Sequence, residues 1–106
     1  LGSIPLAVAL SLRTKVPYIM VRKEKKDHGT GKLIEGTMLK GERVLMVEDV
    51  ITSAGSVAEA ISTVRAAGGE VSMTICVVNR QEGGEERLAD MGVSLRSLVT
   101  AEELLK

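Results

Sequence analysis

The stretch that decides the architecture is Val44–Ser56, VLMVEDVITSAGS. Four apolar residues, Val44–Val47, form a β-rich run with no polar interruption, then Glu48 and Asp49 stand side by side. Continuous apolar character, rather than alternation, marks a strand covered on both faces, as in a parallel sheet. The strand reads as Arg43–Asp49, so the acidic pair falls at its carboxyl end, where open α/β sheets bind their ligands. The segment Thr52–Ser56 is small and rich in hydroxyls, and it opens a helical pattern. Backbone N–H groups, hydroxyls and the positive end of a helix dipole together make a phosphate cradle. An isolated acidic pair before a Ser or Thr cap would be an ordinary strand end. The whole thirteen-residue pattern instead implies a ligand carrying both hydroxyls and a phosphate, such as a ribose 5-phosphate.

Outward from this stretch the same rhythm repeats. Pro17–Lys23 and Val71–Asn79 read as two further buried strands of the sheet, and Leu95–Val99 as a weaker fourth. Helical spacing predicts helices over Ile4–Arg13, with Pro5 tolerated in the first turn, over Ser56–Ala67, ending at Gly68-Gly69, and over Glu85–Met91, ending at Gly92. The order is α-β-loop-β-α-β-α-β. It predicts an α/β fold in one domain, a mostly parallel sheet flanked by helices and joined by right-handed crossovers. Glu24–Gly41 breaks the rhythm: it is polar, holds four glycines and predicts a long flexible loop of functional use, with a short extended piece near Leu33–Glu35.

Composition narrows the function. The chain has 106 residues, 44% of them hydrophobic and 26% charged, enough for one domain. One Tyr, with no Phe or Trp, leaves the core to aliphatic residues and Met, and argues against single-stranded nucleic-acid binding by base stacking. The formal net charge is zero, but residues 1–43 carry +5 and residues 44–106 carry −5. A general nucleic-acid footprint is thus excluded, while a local basic cluster can still grip a small polyanion. The lone Cys76 excludes an internal disulfide and a multi-cysteine zinc site, and its apolar neighbours mark it as a packed, inert thiol. No apolar run is long enough to span a bilayer and no signal peptide is evident, so the expected location is cytoplasmic.

Two further clusters bear on chemistry. Arg22–Gly31, RKEKKDHGTG, gathers four cations and the only histidine within seven residues. Taken alone it is a solvated loop; placed beside a phosphate site, its cations can neutralise a leaving diphosphate. Its tail, HGTGKL, fails as a nucleotide P-loop because position 26 is Lys rather than Gly and no Ser or Thr follows Lys32. Gly29 and Gly31 lack the third glycine of a dinucleotide fold, since Ile34 stands there. The third cluster is Asn79-Arg80-Gln81-Glu82, where an arginine at a strand's end can hold a carboxylate bidentately.

These three motifs, in this order, resemble the type I phosphoribosyltransferases, and the orotate phosphoribosyltransferases in particular. VLMVEDVITSAGS is similar to the motif that binds 5-phosphoribosyl-1-diphosphate (PRPP), and Leu1–Ala7 to the end of a diphosphate-binding loop. The resemblance implies that Glu48 and Asp49 hold the ribose hydroxyls and that Thr52, Ser53, Ala54, Gly55 and Ser56 hold the 5-phosphate, with Val50 and Ile51 between them also counted among the PRPP-binding residues. It implies a catalytic loop in which Arg22, Lys23, Lys26 and His28 meet the diphosphate, and an orotate site at Thr52 and Arg80. It also implies Mg2+, carried mainly by PRPP near Glu48 and Asp49 with no protein ligand directly assigned, and a homodimer in which loop residues act across the interface. The expected activity is transfer of ribose 5-phosphate from PRPP to orotate. The alternatives are a purine-base enzyme of the same family and a PRPP-binding regulator without catalysis. Members of the family extend further upstream, so residues 1–106 are expected to be an N-terminally incomplete core with little activity of their own.

Overall fold

The computed structural model describes residues 3–22 and 33–105. Helix α1 spans Ser3–Thr14 and is followed by the two-residue strand β1, Met20–Val21. Strand β2 is Ile34–Glu35, and β3 is Arg43–Ile51. Then come α2 (Gly55–Ala66), β4 (Glu70–Asn79), α3 (Gly84–Asp90), β5 (Ser94–Thr100) and the short α4 (Ala101–Leu104).

Among the described residues the main sheet has the order β3-β4-β5 and is parallel throughout. Its register aligns the strand ends in one row, with Ile51 opposite Asn79 and Asn79 opposite Thr100. Every connection that leaves this row therefore starts at the same level. The α/β reading and its three later strands stand, with boundaries within two residues of expectation.

The expectation for Pro17–Lys23 is corrected. Among its described residues only Met20–Val21 forms a strand, and it pairs antiparallel with Ile34–Glu35, apart from the main sheet. An antiparallel return needs no crossover helix, so the nearby Ile34–Glu35 is the cheapest partner for its backbone groups. The apolar character of the run still has a use: Val21 and Ile34 pack against the main core.

That core is aliphatic, as a chain nearly without aromatic rings requires. It joins Met46 and Cys76 of the sheet to Val57, Ile61 and Val64 of α2 and Leu88 of α3, with Val93 closing the end. The i, i+4, i+7 spacing of Val57, Ile61 and Val64 puts all three on one face of α2, where each is at most 1% exposed. Helix α2 stops because Gly68 takes φ +97, and the N–H groups of Gly68 and Gly69 return to the Arg65 and Val64 carbonyls. By contrast, α1 has no fully buried residue. Helix α4 was not expected from the apolar pattern. Its signal is a capping box: the Thr100 hydroxyl accepts from the Glu103 N–H while the Glu103 carboxylate accepts from the Thr100 N–H.

Candidate functional site

The site is built where β3 ends. Glu48, Val50, Ile51, Thr52, Ser53, Ala54, Gly55, Ser56 and Val57 line one cavity of about 290 Å³. All but one of the residues expected to hold PRPP thus converge on one space. The exception is Asp49, which is half-buried beside it with its Oδ1 accepting the Val50 N–H at 2.8 Å.

The turn between β3 and α2 has a particular conformation. Ala54, buried at 5% exposure, takes the left-handed φ of 65° and caps α2 without a side-chain oxygen to offer. The first N–H groups of a helix have no partner within it. Here the residue at the capping position supplies no side-chain partner for them, while its own carbonyl accepts from the Ala58 N–H. An anion is the ligand such donors favour.

The end of β4 is tied to this turn. The Arg80 N–H donates to the Ile51 carbonyl at 2.9 Å, bridging the two strand ends. Buried Asn79 turns the chain by accepting the Gln81 N–H on its Oδ1 at 2.9 Å, with Gln81 at φ 60°. The Arg80 side chain is exposed, and its Nε donates to Glu82 at 3.0 Å. Arg80 thus stands next to the cavity's rim by backbone connection, although it is not among the lining residues.

Of the expected loop residues, Lys23, Lys26 and His28 lie outside the described residues. Arg22 is described and has a partner: its guanidinium pairs with the Glu35 carboxylate. The pairing follows from register. Met20 is opposite Glu35 and Arg22 lies two residues on, so the two charges are diagonal neighbours on one face of the β1–β2 pair. Sequence reasoning gave Glu35 no role, because its partner depends on how β1 pairs.

Cys76 is buried as expected, and its thiol is pushed up, first by burial and then by the charge of Glu48. Among the described residues no group of three or more His, Cys, Asp or Glu side chains could hold a metal ion. Glu48 and Asp49 are nonetheless hard oxygen donors of the kind Mg2+ accepts when substrate oxygens supply the rest. Among the described residues no helix is long and apolar enough to cross a membrane.

Comparison with known proteins agrees with the geometry. Residues 1–101 match the phosphoribosyl transferase domain, and the chain belongs to that family. It is 51% identical over 105 residues to the orotate phosphoribosyltransferase of Methanocella arvoryzae, covering 99% of this chain and 60% of that one. The crystal structure of orotate phosphoribosyltransferase from Aeropyrum pernix superposes with a TM-score of 0.82 at 37% identity, covering 96% of this chain and 55% of that one. The orotate phosphoribosyltransferase of Mycobacterium tuberculosis, solved in complex with PRPP, superposes with a TM-score of 0.64 at 38% identity over 70% of this chain and 46% of that one. The chain thus spans about 60% of the length of the Methanocella arvoryzae relative.

Proposed function

We propose that these residues are the PRPP-binding core of an orotate phosphoribosyltransferase. The observation that carries the reading is the uncapped start of α2, where the Thr52–Ser56 turn and Glu48 line one cavity. The relatives named above favour orotate as the base, and the PRPP complex of one of them favours PRPP as the ribose donor.

The chemistry follows from the residues. Breaking the bond between ribose C1 and diphosphate leaves positive charge on the sugar and negative charge on the leaving group. Glu48 and Asp49 accept hydrogen bonds from the ribose hydroxyls and favour the cationic sugar. The amides and hydroxyls of Thr52–Ser56 hold the 5-phosphate, so the ribose is anchored at both ends. Arg80 binds the orotate carboxylate and Thr52 touches the pyrimidine, which brings the ring nitrogen to C1. Arg22, Lys23, Lys26 and His28 neutralise the departing diphosphate. Glu48 and Asp49 would be the carboxylates to hold a Mg2+ that arrives with PRPP, which would supply further charge neutralisation. A homodimer in the cytoplasm, with loop residues reaching across the interface, completes the proposal.

The deciding experiment uses the full-length protein. Orotidine 5-phosphate should form from orotate and PRPP, with adenine, hypoxanthine and guanine giving none. Turnover of a purine base would transfer the assignment to a purine enzyme, and PRPP binding without turnover of any base would make the protein a regulator.

A further inference from the structure

We propose that Gly84 is a positioning residue, setting how closely the Ile51–Ala54 turn and the Arg80 strand end are held together. The proposal rests on reading that turn and Arg80 as the PRPP and orotate contacts.

Gly84 is the first residue of α3, and it is buried. A Cβ built on it would lie 2.6 Å from the Thr52 carbonyl oxygen, 2.5 Å from Ile51 Cγ2 and 3.4 Å from Ala54 Cβ. The first two distances are shorter than any real carbon contact, and the nearest polar atom is backbone. A side chain can rotate away from an intruding methyl, but a carbonyl moves only with its peptide. Any side chain at position 84 therefore lifts Thr52 or drives α3 away.

Helix α3 has little freedom to withdraw. Leu88, one turn along, is 0% exposed in the main core, and Ile51 below the contact is 2% exposed. The upstream end of the segment is also pinned, by the Arg80 N–H on the Ile51 carbonyl and by the Gln81 N–H on Asn79 Oδ1. The displacement is thus shared with the turn that carries Thr52. The adjacent Gly83 is a built-in control: it sits at φ +94 with nothing within 4 Å of its missing Cβ. Alanine there strains the same loop without pressing on Thr52.

The test compares Gly84→Ala and Gly83→Ala in the full-length protein, with thermal midpoints measured for both. A shift of well under an ångström in a positioned group changes rates and affinities strongly, so Gly84→Ala should raise KM for both PRPP and orotate about tenfold. Gly83→Ala should leave both within about twofold at a similar loss of stability. Unchanged KM values in Gly84→Ala, or equal rises in both variants, would overturn the proposal. Should Gly84→Ala not fold, Leu88→Val carries the test, since it loosens the seat of α3 without adding an atom near Thr52. A rise in both KM values supports the coupling and wild-type values sink it. Calorimetric binding of PRPP reads the same displacement without the base. A wild-type protein that binds PRPP but ignores orotate would therefore count against the assigned base and leave Gly84 still tested by PRPP affinity; one that binds neither overturns both.

Discussion

Cys76 of β4 stands opposite Glu48 of β3 in the parallel register, so the buried thiol faces the strand position that carries an acid of the candidate ribose site. Burial first, and the Glu48 charge second, hold the thiol in its protonated form. The native protein should therefore react with iodoacetamide far more slowly than a free thiol at pH 8, and at the ordinary rate once unfolded. Mass spectrometry of a labelling time course checks this. The sign for stability follows: the unfolded thiol gives up its proton first, so this contribution is complete below about pH 8.5 and is lost as pH rises toward the higher folded value. Rapid native labelling at pH 8 would contradict the assignment.

In the full-length enzyme, Lys26→Ala should depress turnover much more than PRPP affinity. A cation that meets charge developing on a leaving diphosphate acts mainly in the transition state. Steady-state kinetics with PRPP varied separates the two effects, and unchanged turnover would remove Lys26 from the leaving-group role.

At position 54 opposing effects nearly cancel. A left-handed backbone costs an alanine about 1–2 kcal/mol, which Gly would relieve. The buried methyl is worth about 0.8 kcal/mol, and Gly loosens the unfolded chain by a further 0.4–1 kcal/mol or so. Ala54→Gly should thus shift stability by less than about 1 kcal/mol in urea unfolding. Ala54→Val adds a β-branched side chain at positive φ in a packed site and should lose about 2 kcal/mol or more.

Thr74 is 0% exposed, and among the described residues its hydroxyl has no hydrogen-bond partner. Valine has nearly the same shape and no polar atom to bury. Thr74→Val should therefore stabilise the protein by about 1 kcal/mol, read as a higher denaturation midpoint. A loss instead would mean that the hydroxyl is bonded in solution.

The row of candidate PRPP contacts was legible because its information is local. A strand read from Arg43–Asp49, an acidic pair at its end, and a small hydroxyl-rich turn occupy consecutive positions, and the chain need only stay connected for Glu48 and the turn to line one cavity with Asp49 beside it. Helix α2 was legible to within a residue for the same reason, its face written in the spacing of Val57, Ile61 and Val64. The short β1 was not, because a run such as Tyr18–Val21 carries no mark of its partner. Pairing with Ile34–Glu35 depends on a return across the intervening chain, and the Arg22–Glu35 ion pair depends on it in turn.

Gly84 shows the same division at the scale of one atom. Periodicity and composition account for the α/β class, the aliphatic core and the residue types at the end of β3, since each rests on neighbours in the chain. That a glycine thirty-two residues after Thr52 must lack a side chain follows only from the packing of α3 on the turn. Close contact is a property of three-dimensional arrangement, and no pattern along the chain encodes how near two backbones come.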